Sequence, residues 1–429
     1  MNPFLQYPPP ERAARFPIRL YGRFEEAIDA AGNRTELLFG AIDANWFDTS
    51  GPQRDLVSAG GIRIDTIEKL PVYLLEVDVV GQSGPQWSLD SKYQFSEDDW
   101  LELHVNRSGG ARLYPNLYGD PVNVTVTGVS PVSPAQRALL DLAHSLDEWT
   151  QSDEDVQTYL ASLNFQAVAQ CAVYDVGQGS AVGLSDSNNM PSAYFDFGGG
   201  TRRHTGTRPH SNPQFCLTKA PLIILSHWHD DHWSSGPLQV ASLSLTWLAP
   251  HQHVTGPHLT IISAIKKASG RLIVTHLKAF SLSNASFERA TGKGTNNSGF
   301  WAKIDPPLDG QHPMLFSADA SYHDLSSMPS VVDGMAVTHH GADWKHKTKP
   351  PGCSASTNRA VFSFGSPNFY GHPTGRSRTE HGHFSSFDTV TRAGGASGNV
   401  SGHVKLDWAG TPPGSAPCGN KKCYQNLDW

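Results

Sequence analysis

The feature that most constrains this chain is one seven-residue segment, Ser226-His227-Trp228-His229-Asp230-Asp231-His232, which directly follows the apolar run Pro221-Leu222-Ile223-Ile224-Leu225. A short apolar run bounded by turn residues is the signature of a strand buried on both faces. Three histidines and Asp231 therefore sit on a loop anchored to a rigid element. Imidazole and carboxylate are the borderline-hard ligands that Zn²⁺, Mn²⁺ and Fe²⁺ prefer. His227 and His229 are two apart, so an extended loop points both to one side, where they can share an ion. Asp231 and His232 are adjacent, and in a turn entering a helix they can face a second ion nearby. Two ions roughly 3.5–4 Å apart can clamp an attacking hydroxide and a leaving oxygen.

The rest of the chain supplies a scaffold of short elements. Gly 40 and Pro 30 among 429 residues imply many turns and argue for an α/β or sheet-rich architecture over a helical bundle. Strands are expected at Ile18–Arg23, Thr35–Ala41, Val72–Val80, Trp100–Val105 and Val122–Gly128, where β-branched or aromatic residues alternate with polar ones. Ser133-Pro134 offers a helix cap and first residue, with helices to follow over Ala135–Leu146 and Asp153–Leu163. Strands then alternate with helices: Ala167–Val176, Ala193–Phe197, Pro221–Ser226, Ser244–Leu248, Leu272–Thr275, Gly299–Ile304, Met314–Ser317, Met335–Thr338 and Ala360–Phe364, with helices at Gln239–Ala241 and Leu259–Ala268. The expected division is a β-rich accessory domain over 1–130, a helical connection over 131–165, an α/β domain over 166–410 and a tail over 411–429.

Charge is split along the chain. Residues 1–160 hold 12 Lys/Arg and 24 Asp/Glu, and residues 161–429 hold 21 and 16, so a net of -7 conceals a second part at +5. That part is the better host for an anionic substrate. No apolar run approaches the ~20 residues that span a bilayer, and the start lacks the charged-then-apolar order of a secretory leader. A cytoplasmic protein without membrane association is expected. Five cysteines do not make a disulfide scaffold in so long a chain, and Cys418 and Cys423 are read as part of a surface loop rather than a zinc pair.

Taken together, His227-x-His229-x-Asp231-His232 resembles the metal-binding signature of the metallo-β-lactamase superfamily. Asp196, before Gly198-Gly199-Gly200, resembles that family's first aspartate, which orients the metal loop. Asp319 resembles the aspartate that bridges both metals, and His339-His340-Gly341 the last metal histidine. The resemblance covers about residues 166–405 and implies the family's αββα sandwich. Asp175-Val176-Gly177-Gln178-Gly179-Ser180, Asn296-Asn297-Ser298 and Asn368-Phe369-Tyr370-Gly371-His372-Pro373 further resemble the soluble hydrolase domain of ComEC-type DNA-uptake proteins, a branch that acts on phosphodiesters. A further metal histidine of the wider family is replaced by Asn296 or Asn297.

The resemblance implies two divalent ions, zinc first and manganese as the alternative. His227, His229 and Asp319 are expected at one, and Asp231, His232, Asp319 and His340 at the other. Adjacent histidines cannot both point inward from a regular strand, so His340 is taken as the ligand and His339 as a substrate contact or proton donor, with the reverse left open. His372, in a Gly-His-Pro turn, is a second candidate phosphate contact or acid. Asp231, His339 and His372 thus form the expected catalytic set. Trp228 and Trp233 either wall off the metals or stack on a base. Asp175 is expected to be structural, and the 198–200 glycines to make a tight turn.

The function expected is hydrolysis of a phosphodiester, nucleic acid or nucleotide, by a metal-bound hydroxide. Lys303, Lys345, Lys347, Lys349, Arg376 and Arg378 would steer the anionic backbone. Two other functions compete: hydrolysis of a small ester, lactone or phosphorylated metabolite, and a partner-binding module that docks a protein through the N-terminal domain and keeps a degenerate metal site.

Overall fold

The computed structural model describes the chain apart from residues 10–15, 31–33, 50–61, 79–98, 201–206, 208–212, 345–346, 355–357, 369, 391, 394–398, 401, 409–422 and 425–429. It divides into two compact units: residues 1–148 with 253–268, and residues 149–252 with 269–429.

In the first unit, β1 (Arg19–Ala30), β2 (Arg34–Asp43), β3 (Val72–Asp78) and β4 (Trp100–Tyr114) pair antiparallel in sequence order. The early part of β4 returns to pair with β1, so the four strands close into a ring, and β5 (Val122–Pro131) lies along β4. Closure pairs β1, β2 and β3 on both edges, so none of the three is an edge strand. Inward residues such as Leu20, Phe39, Leu75, Leu103 and Val124 fill the interior, consistent with the alternation read from sequence. The helix Pro134–Ala143, capped by Ser133, belongs to this unit, where the Trp100 indole donates to Asp141 at 2.9 Å. So does the helix Gly256–Lys267, which the sequence places among the helices of the α/β part. A Cβ on its Gly256 would sit 2.6 Å from Ile42, so the close approach of this helix to β2 depends on glycine. Its His258 accepts the Thr255 amide at 2.9 Å and serves as a cap.

The second unit is a sandwich of two seven-stranded sheets, the α/β architecture expected of it. In the first sheet, β6 (Gln170–Val173), β7 (Ala181–Ser185) and β8 (Pro191–Phe197) are antiparallel. β9 (Leu222–Ile224), β10 (Thr246–Pro250) and β11 (Arg271–Thr275) then continue parallel to β8, and Val404–Asp407 closes the far edge against β6. In the second sheet, β12 (Ala279–Leu282), β13 (Ala285–Arg289), β14 (Phe300–Ile304) and β15 (Met314–Phe316) are antiparallel. The strands Gly334–Ala336, Arg359–Phe362 and Ser385–Asp388 follow parallel to β15.

One apolar layer joins the sheets. Val182, Leu184, Phe195 and Ile224 from the first meet Phe287, Phe300, Ala302 and Phe316 from the second, with the Phe195 and Phe287 rings 5.8 Å apart. Val156 and Leu160 of the helix Asp153–Ser162 join the same core. Cys423 is buried with Cys216 and Met190, which corrects the surface-loop reading of its segment; Cys418 lies outside the described residues. No helix among the described residues is long and apolar enough to cross a membrane.

Ligand sites in open α/β sheets gather beyond the carboxyl ends of parallel strands. Here β8, β9, β15, Gly334–Ala336 and Arg359–Phe362 are followed respectively by Asp196 at the strand's own end, the 226–232 loop, Asp319, His339-His340 and Ser363. The sandwich therefore delivers every one of these groups to one rim. The core that aligns the two sheets should be sensitive to cavities: Phe287→Ala is expected to lower unfolding free energy by about 3–5 kcal/mol, read by urea denaturation.

Candidate metal centre

The loop after β9 is held from beneath by Asp196. This carboxylate, fully buried, accepts the Ser226 backbone N–H on Oδ1 at 2.7 Å, and on Oδ2 the Ser226 hydroxyl at 2.9 Å and the His232 Nδ1–H at 2.8 Å. Because the Ser226 proton goes to Asp196, its oxygen is left to accept from Nδ1 of His227 at 2.9 Å. On the facing sheet, His340 Nδ1 donates to the Ser363 carbonyl at 2.8 Å. In all three imidazoles Nδ1 carries a hydrogen, so Nε2 is the nitrogen left for a metal: it presents a lone pair in His227 and His340, and in His232 once the proton favoured by the neighbouring carboxylates is displaced.

Those lone pairs converge. His227, His232 and Asp319 offer ligand atoms that all lie within 4.8 Å of one another, and so do Asp231, His232 and His340. Asp319 is central: its Oδ2 is 3.3 Å from His232 Nε2 and 3.7 Å from Nε2 of both His227 and His339, and its Oδ1 is 3.6 Å from His340 Nε2. Asp231 Oδ2 is 3.2 Å from His340 Nε2. His229 is buried beside them, its ring 4.8 Å from that of His227, but outside both triplets. Nε2 of His227, His229, His232 and His340 are all buried without a hydrogen bond. Each such atom would cost roughly 1–3 kcal/mol if left unsatisfied. A cation is the partner that satisfies several acceptors at once, so the residues fit a divalent-metal centre.

The electrostatics agree. Burial opposes a charge on His232, yet Asp319, Asp196 and Asp231 together push its pKa well above the ordinary imidazole range. Burial and the neighbouring His232 push His227 well below it. Burial disfavours ionised carboxylates, but His232, His339 and His340 hold Asp319 well below the usual range, and His232 and His340 do the same for Asp231. The cluster is thus built around anionic carboxylates that call for compensating positive charge.

Backbone strain is concentrated here. Asp196, Ala318, His339 and His340 all have left-handed backbone, with φ of 63°, 47°, 46° and 55°, a conformation that costs about 1–2 kcal/mol for a residue with a Cβ. Such residues persist where surrounding contacts over-determine them and cluster at functional sites. The strain bears on the two adjacent histidines, of which the sequence reading took His340 as the ligand. They do not lie on a strand but on a left-handed kink, so both imidazoles approach Asp319. His340 is buried within a triplet, and His339 stays 29% exposed at the rim. The kink is braced by Tyr322, whose hydroxyl accepts the Thr338 amide at 3.4 Å and donates to His381 Nε2 at 2.8 Å.

The glycines also take a different role. A Cβ on Gly198 would lie 1.9 Å from the Asp231 carbonyl oxygen, and one on Gly179 would lie 2.4 Å from it. They admit the close passage of the metal loop's backbone rather than form a tight turn. Trp228 and Trp233 are almost wholly buried, their indoles donating to the Pro250 and Trp228 carbonyls, so neither ring offers an open face for a base to stack on. Asp175 accepts the Gly402 amide, a structural contact. Asn297 accepts the Ser321 amide at 2.9 Å and braces the loop after Asp319. Ser363 and Tyr322 escaped the sequence reading, since nothing local marks a serine or tyrosine as a partner of distant histidines, and the role of Ser226 in linking Asp196 to His227 likewise shows only in the fold. Of the basic residues, Lys303 pairs with Asp305, Arg378 with Asp388, and Arg376 donates to the Trp344 carbonyl; Lys347 and Lys349 are exposed, and Lys345 lies outside the described residues.

No protein-family model and no curated protein matches the chain. Among solved structures it is similar to an N-acyl homoserine lactone hydrolase with N-hexanoyl-L-homoserine bound at the catalytic metal centre (12% identity, 37% of this chain and 75% of that one, TM-score 0.23). It is similar to a possible metal-dependent hydrolase from Veillonella parvula (10% identity, 52% and 85%, TM-score 0.29). It is also similar to an archaeal metallo-β-lactamase superfamily protein from Sulfolobus tokodaii (13% identity, 55% and 82%, TM-score 0.21).

Two outcomes follow from the geometry. Asp196→Asn replaces one of the two acceptor oxygens under Ser226 and His232 with an NH₂ donor, and should weaken zinc binding by roughly 10–100-fold in a chelator-competition titration, with the circular dichroism spectrum retained. Zinc must also displace the proton that the carboxylates hold on His232. Its apparent affinity should therefore rise from about pH 6 to about pH 8; a flat profile would contradict the proton-holding cluster.

Proposed function

We propose that this chain is a metal-dependent hydrolase of phosphodiesters, with nucleic acid or a nucleotide as substrate. The observation that carries the reading is the convergence of the buried Nε2 atoms of His227, His232 and His340 on Asp231 and Asp319, with His229 buried beside them. His227, His229 and Asp319 would hold one ion, and Asp231, His232, Asp319 and His340 the other. Zinc suits this imidazole and carboxylate set, and manganese is the alternative. When bound, such ions supply Lewis-acid polarisation and lower the pKa of water toward neutrality.

The chain's own residues do the remaining work. Asp196, Ser226 and Ser363 keep the imidazoles in the ligating tautomer without reorganisation. Trp228 and Trp233 close the floor against water. Asp231 and His339, the more exposed members of the cluster, mark the open side where a substrate enters. His339 and His372, whose rings lie 5.6 Å apart, line that side as contacts for phosphoryl oxygens. The +5 balance of residues 161–429 supports an anionic substrate, and exposed Lys347 and Lys349 are the steering charges.

The test is incubation of the zinc- and manganese-loaded protein with DNA, RNA and cyclic nucleotides, beside a lactone and a thioester. Cleavage of at least one phosphodiester is expected. Asp231→Ala should reduce it by more than the roughly 10–100-fold typical of an outer-shell change. Turnover of the lactone or thioester alone would overturn the substrate class, and full activity in Asp231→Ala would overturn the metal centre as the catalyst.

A further inference from the structure

We infer that Gln178 is a positioning residue that fixes His372 as a neutral Nε2–H donor to a phosphoryl oxygen of the substrate. This rests on the hydrolase reading and narrows the role of His372 within it.

Gln178 is buried, between Gly177 and Gly179 at φ of 76° and 151°, and its backbone N–H donates to the Thr207 carbonyl at 2.7 Å. Its side-chain oxygen accepts the Gly365 amide at 3.3 Å. That contact orients the amide group, so its NH₂ faces Nδ1 of His372 at 3.5 Å. An NH₂ group can only donate, so Nδ1 must accept and the ring hydrogen resides on Nε2. Gly365 permits this packing: a Cβ there would sit 2.5 Å from Thr207 Cα and 3.0 Å from the Gln178 nitrogen.

His372 is held on its other sides as well. Its backbone N–H donates to Asn368 Oδ1 at 3.2 Å, and its carbonyl accepts from Asn368 Nδ2 at 2.9 Å. Tyr370 stacks on its ring with centroids 5.6 Å apart and planes 28° apart, and His339 meets it edge-on. A buried imidazole held by Gln178 at Nδ1 and by the Tyr370 ring, next to the partly exposed His339, is a preorganised donor of the kind that stabilises developing negative charge.

Its chemistry excludes the acid role. An imidazole whose Nδ1 accepts from an amide would become an imidazolate on losing the Nε2 hydrogen. His372 therefore lends a hydrogen bond and keeps its proton, as neutral histidine electrophiles do.

The test combines a tautomer readout with kinetics on the zinc-loaded protein. Long-range ¹H–¹⁵N spectra of ring-labelled histidines, assigned by His372→Gln, should show His372 as the Nε2–H tautomer. Gln178→Glu presents only acceptors and should move the hydrogen to Nδ1, and Gln178→Leu, which carries no charge, should release the preference. Both variants should lower kcat on a phosphodiester by on the order of 10²-fold, with zinc content unchanged. An Nδ1–H tautomer in the wild type, or a tautomer that does not respond to Gln178→Glu, would overturn the inference. The stated tautomers in a protein that cleaves no substrate would uphold the positioning and overturn the hydrolase reading instead.

Discussion

The buried carboxylate of Asp196 is the contact on which the functional end of this molecule depends. It accepts three hydrogen bonds and through them sets the path of the loop after β9, the ring orientation of His232 and, by way of the Ser226 hydroxyl, that of His227. An anion with no exposure to water is costly unless its lone pairs are satisfied. The network satisfies them with donors from the metal loop itself. The same three bonds that make the buried charge tolerable also make the imidazoles ligands.

That interaction works because two sheets bring their parallel strands to one rim. β8 and β9 contribute Asp196 and the histidine loop; β15, Gly334–Ala336 and Arg359–Phe362 contribute Asp319, His340 and Ser363. Neither sheet holds a complete cluster. The apolar layer that includes Phe195 and Phe287 sets the register between the halves, so packing energy is converted into the few-ångström separations among Asp231, Asp319 and the imidazoles. Left-handed backbone at Asp196, Ala318, His339 and His340 is the local cost of bending three chain segments toward one point, offset by the hydrogen bonds and burial around them.

The rim is less symmetric than the floor. His227, His232 and His340 are deeply buried, whereas His339 is partly open and His372 stands next to it, clamped by Asn368, Tyr370 and Gln178. A rigid inner group of acceptors and an outer pair of histidines suit different tasks, the first compensated by cations and the second presented to a substrate. The motif around Gln178 and the one around His372 are 194 residues apart, and they acquire a shared meaning only where the fold joins them.

Much of this was legible in the chain. The apolar run before Ser226, the spacing of His227, His229, Asp231 and His232, and the strands ending near Asp196, Asp319 and His339 all announce themselves locally, because periodicity and ligand spacing are short-range properties. The β12–β13 hairpin was missed although Phe280, Leu282, Ala285 and Phe287 alternate inward, since each strand is too short to stand out. Burial decided the rest. It enclosed Trp228 and Trp233, placed Cys423 in a core and drew the helix Gly256–Lys267 into the first unit. What the sequence alone determined is which residues can bind a cation and that a buried strand carries them. What only the tertiary structure decided is which nitrogen of each imidazole faces inward, which of two adjacent histidines is enclosed, and which serine, tyrosine or glutamine holds them, because a hydrogen-bond partner 23, 59 or 194 residues away leaves no trace in local spacing.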